Sequence, residues 1–322
     1  MTFRQAGQPG WVAGHVVVSM LVALGLFVPG CRRGSSDGVG NPTDNADART
    51  VQNAGSDTMV NVAQAWAERY AEVNKEVSIE VSGGGSGTGI AGLINGTVDI
   101  ANCSRTMSDD ERQRIQQVYG AEPTEYVVGY DAMAIFVHPD NPLEEITIQQ
   151  LAEIFGENGK VTKWSDMGVA LTGNSKADDP IVVVSRQSNS GTYFYFREHV
   201  LGKGRDFRLG TLDMHGSKDV VELVARTPNA IGYSGMGYAT PQVKGLRIRK
   251  DADSPGVAPS VTTTLDGTYP IARPLLMYVR GKASDPVQHY LDWIRSPVGQ
   301  EVLAASGYVP LQQAITPEKG KD

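Results

Sequence analysis

Three short segments of the chain combine glycine with hydroxyl side chains, and each is followed by a stretch with helical character. We call residues 55–58 (GSDT) the first segment, 83–89 (GGGSGTG) the second and 185–192 (SRQSNSGT) the third. The start of a helix exposes free backbone N–H groups and a partial positive charge, and glycine lets a ligand approach the backbone closely. Arg186 adds a planar guanidinium that can bind two oxygens of a tetrahedral anion. These residue types therefore predict a site for a small oxyanion.

The same segments also have an ordinary structural interpretation. A Ser or Thr before a helix is a common N-cap, worth ~1 kcal/mol, and a cap is the better interpretation of the first segment taken alone. The glycine run of the second segment fits a flexible loop equally well. The third segment is harder to explain in this way, because an arginine beside a turn of small residues has little structural work to do. Composition alone leaves the choice between caps and a site open.

The elements that must position these segments alternate between strand and helix. Alternating or continuous apolar runs predict strands at 77–81, 98–101, 126–137 and 181–184. Apolar residues at steps of four and three predict a helix from Met59 to Val73. Residues 251–268, with scattered Pro, Gly, Ser and Thr, are predicted to form a surface loop or an irregular hairpin. The alternation predicts an α/β fold in which ligands bind at the carboxyl ends of strands.

Composition excludes several classes of protein. The 322 residues include 29 Lys and Arg against 36 Asp and Glu, a formal net charge of −7, which argues against nucleic-acid binding. The two cysteines are too few for a disulfide scaffold or a cysteine-rich zinc site, and the five histidines do not lie at a metal-ligand spacing. Residues 87–92 fit the dinucleotide pattern G-x-G-x-x-G, but the acidic residue that should follow the next strand is poorly matched. We therefore predict no metal, no cofactor and no catalytic residue.

The N-terminal region has the pattern of an export signal. Residues 16–28 (VVVSMLVALGLFV) form an apolar run that is short for a membrane span and suits the core of a signal peptide. The run leads into Cys31, and the junction looks like a bacterial lipobox, although Pro29 is unusual for that pattern. We predict a lipoprotein-type signal peptide at 1–30 with acylation of Cys31, ordinary cleavage or an uncleaved anchor being the alternatives. Residues 31–50, rich in Gly, Ser, Asp and Asn, are predicted to be a flexible tether.

The three segments, in this order, resemble those of the periplasmic phosphate-binding protein family, the substrate-binding component of the phosphate ABC importer. The likeness runs from about residue 53 to residue 311. Beyond the three segments it includes 163–166 (KWSD), 227–233 (TPNAIGY), 269–275 (YPIARPL) and 306–311 (SGYVPL). No single piece is decisive, but the ordered set is fairly specific.

The resemblance implies a two-lobed periplasmic-binding-protein fold with a central ligand cleft and two strands that cross the hinge. Lobe one would comprise 51–129 plus 272–312, and lobe two 130–271, with 313–322 as a C-terminal tail. The crossings would fall near 130–132 and 270–272.

The resemblance also implies which residues hold the anion. Its donors would come from hydroxyl groups, backbone N–H groups and one guanidinium. Carried over position by position, the matching residues are Thr58, Ser86, Arg186, Ser190, Gly191 and Thr192. Gly87 lies beside Ser86, and we expect it to offer an N–H.

One position departs from part of the family. Some members carry an Asp at the end of a strand, where it accepts the proton of hydrogen phosphate, whereas this chain has Ser104 there, followed by Arg105. A carboxylate acceptor rejects sulfate, which has no proton to donate. We expect Asp57 to be the substitute acceptor, with stabilisation of the helix start as its alternative role.

The function implied is capture of inorganic phosphate outside the cytoplasmic membrane and its delivery to the permease subunits of an ABC transporter. The protein would be a monomer, anchored at the periplasmic side or cell surface by its N-terminal lipid. Two alternatives stay open. One is a binding protein for sulfate, molybdate or arsenate, and the other is a secreted phosphatase-like enzyme with Ser86 or Ser190 as nucleophile, for which the sequence places no histidine in or next to the three segments.

Overall fold

Strands and helices alternate through residues 49–171 and 180–311, which are the residues that the computed structural model describes. All of these residues belong to one compact unit of the chain. The strands of the described residues are β1 (Arg49–Gly55), β2 (Val77–Ser82), β3 (Ile100–Cys103), β4 (Pro123–Val137), β5 (Glu145–Thr147), β6 (Val182–Arg186), β7 (Leu212–Met214), β8 (Ala230–Gly235), β9 (Lys244–Gly245), β10 (Arg247–Arg249) and β11 (Ala272–Arg280).

The helices lie mostly between successive strands. In the described residues they are α1 (Val60–Val73), α2 (Ser86–Asn95), α3 (Asp109–Tyr119), α4 (Ile148–Phe155), α5 (Gly191–Phe196), α6 (Ser217–Ala225), α7 (Val261–Leu265), α8 (Asp285–Arg295) and α9 (Pro297–Ala305). A π-helical turn, Arg197–Leu201, continues α5, and Trp164–Met167 and Met236–Tyr238 form short 3-10 helices.

Most predicted elements are confirmed, with shifts at their ends. The predicted strand at 98–101 is displaced and becomes β3, because the Asp99 carboxylate accepts the N–H of Gln52 before the strand begins. The predicted tether at 31–50 is too long at its end: residues 31–48 lie outside the described residues, but Arg49 and Thr50 already pair with β2 as part of β1. The prediction of a loop or hairpin at 251–268 is wrong for α7, which Ser260 begins by accepting the N–H of Thr263.

One sheet connects both parts of the fold, in the order β2-β1-β3-β11-β4-β8-β6-β7 with β9 also paired to β4. At one end β1 is parallel to both β2 and β3, and at the other end β6 is parallel to both β7 and β8. Between these groups β11 runs antiparallel to β3 and β4. Two sets of parallel strands therefore direct their carboxyl ends toward the middle of the molecule, where loops can meet.

The long strand β4 belongs to both groups. Its residues 123–132 pair with β11, and its residues 133–137 pair with β8. The change of partner falls between Ala132, which lies opposite Ala272, and Met133, which lies opposite Gly235. A strand that is hydrogen-bonded to each group in turn provides a covalent and a hydrogen-bonded link between them.

Each group of parallel strands has its own apolar core. The first core contains Trp66 of α1, packed with Tyr290 of α8 and Leu303 of α9. The other contains Phe155 of α4 and Tyr233 of β8, whose rings lie 5.5 Å apart. Burial of a large apolar side chain contributes roughly 1.5–3 kcal/mol, so each group of strands is stabilised by helices from its own part of the chain. Among the described residues no helix is long and apolar enough to cross a membrane.

Candidate functional site

The three segments named from the sequence follow the carboxyl ends of three strands and lead into helices. The first segment includes the end of β1 and precedes α1, the second joins β2 to α2, and the third joins β6 to α5. Residue Ser104 directly follows β3, which lies beside β1 in the sheet. The fold brings all four of these places into contact.

The first and third segments meet through two hydroxyl groups. Thr58 Oγ1 and Thr192 Oγ1 are 2.8 Å apart, and both side chains are buried. They are separated by 134 residues in the chain. Neither helix start explains this contact, because N-cap hydroxyls bond to the backbone of their own helix.

The second and third segments meet around Gly191. A Cβ atom on Gly191 would lie 2.3 Å from Ser86 Oγ and 2.7 Å from Ser104 Oγ, so only glycine fits here. The N–H of Ser104 donates to Ser86 Oγ at 3.1 Å, and Ser56 Oγ donates to Ser104 Oγ at 2.9 Å. A cluster of serine hydroxyls therefore faces the start of α5 at van der Waals distance.

Asn189, which sequence reasoning did not single out, ties the second segment to the third. Its side-chain amide donates to the backbone carbonyl of Gly84 at 2.8 Å, and its backbone carbonyl accepts the N–H of Gly87 at 3.0 Å. The N–H that we expected Gly87 to offer to a ligand thus has a protein partner in this structure. Gly85 has a φ of +91° and a Cβ there would lie 2.6 Å from the Asn189 carbonyl oxygen, so this position also requires glycine.

Arg186 is buried and reaches across to the first segment. Its Nη2 lies 3.0 Å from Asp57 Oδ2 and 2.8 Å from the His215 carbonyl oxygen, and its Nη1 donates to Ser217 Oγ at 3.0 Å. Its Nε has no hydrogen-bond partner among the described residues. Burial lowers the pKa of Arg186, which the nearby Asp57 carboxylate opposes. A buried guanidinium N–H without a partner costs free energy, and a ligand oxygen would recover that cost.

Asp57 contacts the other segments rather than the helix that follows it. Its Oδ1 accepts the N–H of Gly84 at 2.8 Å, and its Oδ2 accepts from Arg186. The N-cap residue of α1 is Met59, and no side chain caps that helix. The backbone carbonyl of Asp57 accepts a hydrogen bond from the Tyr238 hydroxyl at 2.7 Å. The carboxylate therefore organises two of the three segments.

Ser190 does have the capping role that the ordinary interpretation assigns to it. Its Oγ accepts the N–H of Thr192 at 3.2 Å and the N–H of Tyr193 at 3.4 Å. A hydroxyl that accepts in this way still has its own proton to donate. Capping and ligand binding are thus compatible at this residue.

Two charged residues of the site, Arg273 and Asp131, were missed by sequence reasoning. Arg273 Nε and Nη2 lie 3.0 and 2.8 Å from Asp131 Oδ2, and both side chains are fully buried. The same Nη2 is 3.1 Å from Thr192 Oγ1 and 3.4 Å from Thr58 Oγ1. A signal did exist: Asp131 is the single charged residue between positions 126 and 137, in an otherwise apolar run.

The charges of the site balance. Two guanidiniums face two carboxylates, so an anion would be held chiefly by hydroxyl and N–H dipoles in a buried setting, where such donors act strongly. Among the described residues no group of three His, Cys, Asp or Glu could hold a metal ion. His215, remote in sequence, is near the third segment in space, with its Nδ1 3.2 Å from Gln187 Oε1. No hydrogen bond among the described residues joins its ring to Ser86 or Ser190.

Comparison with known proteins agrees with this architecture. Residues 40–298 match a family model described as a PBP superfamily domain. The fold is that of the two-lobed periplasmic binding proteins, with a central cleft and strands crossing between the lobes.

The chain is 39% identical over 282 residues to the phosphate-binding protein PstS of Pseudomonas aeruginosa, covering 84% of this chain and 86% of that protein. It is 32% identical to the protein SphX of Synechococcus elongatus over 268 residues, 80% of this chain and 76% of that protein. A crystal structure of a candidate phosphate ABC transporter substrate-binding protein of Clostridium perfringens, solved with bound phosphate, aligns with a TM-score of 0.72 at 28% identity, covering 82% of this chain and 100% of that one. The chain therefore belongs to the PstS family of phosphate-binding proteins.

Proposed function

We propose that this chain binds inorganic phosphate in its interlobe cleft and delivers it to the permease of an ABC importer. The observation that carries the proposal is the convergence of hydroxyl groups from four separate places in the chain beside a buried arginine whose Nε has no partner among the described residues. The chain's relatives are binding proteins rather than enzymes, and PstS-type proteins work outside the cytoplasm. Binding without chemistry is what a set of fixed neutral donors does well.

The phosphate would lie where the three segments meet. Its oxygens would accept from the hydroxyl and N–H donors and from Arg186 Nε. The donors we propose are Thr58, Ser86, Gly87, Ser104, Ser190, Gly191 and Thr192. Gly87 would join this set only by exchanging its partner, the carbonyl of Asn189, for phosphate.

Asp57 is the proposed acceptor for the proton of hydrogen phosphate. Ser104 occupies the position that holds an Asp in some members of the family, and a serine cannot provide a carboxylate there. The Asp57 carboxylate accepts from Gly84 and Arg186, which leaves further lone pairs on its oxygens. Sulfate would place an oxygen lone pair against this carboxylate, which is unfavourable.

The lobe boundaries that we propose are 51–129 plus 272–312 for lobe one and 130–271 for lobe two. They are supported by the change of strand partner on β4 between Ala132 and Met133. Opening at these crossings would separate Thr58 from Thr192 and release the anion.

Attachment to the membrane is a further part of the proposal. Cys31 would carry the lipid, and residues 1–30 would be removed as a signal peptide; both lie outside the described residues. Mass spectrometry of the native N-terminus tests this directly: an acylated Cys31 supports it, and an N-terminus elsewhere contradicts it. The proposed monomer state is tested by light scattering of the full chain in the presence of phosphate.

Calorimetric titration of the purified full-length chain with phosphate, arsenate and sulfate tests the central function. We expect tight binding of phosphate, weaker binding of arsenate and no competition by sulfate at neutral pH. Binding of sulfate as tight as that of phosphate would contradict phosphate selectivity. Failure to bind any of the three would contradict the proposed function as a whole.

A further inference from the structure

Arg273 lies at the junction between the two groups of strands. It is on β11, directly opposite Asp131 on β4, one residue from the point where β4 changes its partner to β8. Asp131 Oδ1 also accepts the N–H of Met236 at 3.0 Å, which connects the ion pair to the residue that follows β8. The pair is therefore fixed from both sides of the hinge.

The guanidinium of Arg273 donates to both sides of the cleft. Its Nη1 is 3.1 Å from the carbonyl oxygen of Ser104, and its Nη2 contacts Thr58 Oγ1 at 3.4 Å and Thr192 Oγ1 at 3.1 Å. The ring of Tyr195 lies on one face, 5.5 Å from the guanidinium carbon. This arrangement is rigid because all three nitrogen atoms of the side chain have defined partners.

The direction of these hydrogen bonds has a chemical consequence. Arginine has donors and no acceptor. One proton of Nη2 is directed to Asp131 Oδ2, and the two threonine oxygens share the other, Thr192 Oγ1 at 3.1 Å and Thr58 Oγ1 at 3.4 Å. A hydroxyl that accepts from the guanidinium points its own proton elsewhere. In the Thr58–Thr192 contact one hydroxyl donates to the other, and the proton of the second is left to point away from Arg273.

We propose that Arg273, held by Asp131, is a positioning residue that fixes the polarity of the Thr58–Thr192 hydroxyl pair, so that this pair donates to the bound oxyanion. The proposal rests on phosphate binding at this site. It adds a division of the ligand's oxygens: an unprotonated oxygen accepts the free proton of the hydroxyl pair, and the protonated oxygen faces Asp57. Because Asp131 neutralises Arg273, the arginine acts through hydrogen-bond direction rather than through net charge.

Packing around the pair supports a fixed geometry. A Cβ on Gly235 would lie 2.9 Å from Thr58 Cγ2 and 3.2 Å from each carboxylate oxygen of Asp131. Thr58 and Asp131 thus pack against the same backbone position with no spare room. Small rotations of either side chain are resisted, which is what a residue that orients a hydroxyl requires.

A double-mutant cycle on the full-length chain tests the proposal, with phosphate affinity measured by calorimetry. The variants are Thr58→Val, Arg273→Gln and their combination. We expect each single change to weaken phosphate affinity about tenfold. The fold-loss of affinity in the double variant should be smaller, by about threefold or more, than the product of the two single fold-losses. Independent effects that multiply fully would overturn the proposal. If the unmutated chain binds no phosphate, that result instead contradicts the proposed function.

The variant Arg273→Lys distinguishes an effect of hydroxyl positioning from an effect of misfolding. Arg273→Lys keeps the charge beside Asp131 but lacks the two-nitrogen fork, so we expect a folded protein whose phosphate affinity stays reduced. Full phosphate affinity in Arg273→Lys, together with unchanged coupling when it is combined with Thr58→Val, would contradict a role for the two-nitrogen fork. If Arg273→Gln fails to fold, the Arg273→Lys variant provides the test.

Arg280→Gln is the matched control on the same strand. Arg280 Nη1 donates to backbone carbonyls of Leu93 and Val98, away from the site. We expect a lower melting temperature with unchanged phosphate affinity. A loss of affinity equal to that of Arg273→Gln would assign the effect to β11 as a whole and overturn the proposal.

Discussion

The two buried Arg–Asp pairs of the cleft differ in what they connect. Arg186 and Asp57 come from the third and first segments, and the guanidinium leaves its Nε without a partner among the described residues. Arg273 and Asp131 face each other across two paired strands, and every nitrogen of that guanidinium has a partner. Among the described residues, the arginine of the first pair therefore keeps one N–H that can donate to a ligand, whereas the arginine of the second pair is held in place by its protein partners.

A third pair shows how much burial matters. Arg197 and Asp206 have the same 3.0 Å separation as Arg186 and Asp57, but their side chains are 40% and 65% exposed. Exposed pairs of this kind contribute little, because water and salt screen them. Equal geometry with unequal burial therefore makes this surface pair a matched control for the pair in the cleft.

The largest effect is expected from Arg186→Ala. Removing a charged partner from a desolvated anion should weaken phosphate binding by at least ~2 kcal/mol. Calorimetry of the variant measures the loss, and Arg197→Ala is the control expected to bind normally. An unchanged affinity in Arg186→Ala would remove this residue from the site.

Gly191→Ala tests the convergence of the segments by steric means. The added methyl group would meet Ser86 Oγ and Ser104 Oγ, so we expect phosphate affinity to fall by about 1–3 kcal/mol. Gly245→Ala is the control, since the nearest atom to its added Cβ is 3.9 Å away on Phe136. Normal binding by Gly191→Ala would show that the space between the serines and α5 is not used by the ligand.

Asp57→Asn tests the proposed proton acceptor. Loss of the carboxylate should narrow the difference between phosphate and sulfate affinity by about 1 kcal/mol or more, because the amide no longer rejects an unprotonated oxygen. Competition titrations with both anions measure the ratio, with Asp206→Asn as the control. A ratio equal to that of the unmutated chain would return Asp57 to a purely structural role as the partner of Arg186.

The smallest effect is expected at the half-buried pair of Arg105 and Glu111, whose side chains are 11% and 21% exposed. Burial acts to raise the pKa of Glu111, but hydrogen bonds from Arg105 and from the Ser108 N–H outweigh it and lower the pKa. A lowered folded-state pKa gives stability that is present above the unfolded value of about 4.3 and is lost as the pH falls through the folded value. Glu111→Gln should therefore lower the free energy of unfolding at pH 7 by at most about 1 kcal/mol, discounted for exposure.

Thermal unfolding at neutral and acidic pH checks this prediction. The difference between the unmutated chain and Glu111→Gln should shrink below about pH 4, where the carboxyl takes up its proton. Glu72→Gln is the control, because its pair with Arg69 is more than half exposed. A difference that stayed constant with pH would mean that the ion pair is not its source.

The sequence predicts the local parts of the site better than its long-range contacts. Glycine and hydroxyl residues before helices identify the three segments, because a helix start has chemistry that can be deduced from neighbouring residues. The alternation of strands and helices predicts that these segments share one edge of a sheet. Both inferences use interactions within a few residues or rules that apply to all α/β folds.

The ion pair of Arg273 and Asp131 could not be deduced in the same way. Its partners are 142 residues apart, and they meet because β11 runs antiparallel to β4 in one register. Cross-strand register depends on the whole sheet rather than on local pattern. Asn189 and Tyr238 were missed for the same reason, since each contacts a segment more than 100 residues away.

The most direct test of the site is a crystal structure of the full-length chain grown with phosphate. We predict one phosphate ion with its oxygens within hydrogen-bond distance of Thr58 Oγ1, Ser86 Oγ and Arg186 Nε. A phosphate ion bound elsewhere, or a structure in which these three side chains face different surfaces, would contradict the account.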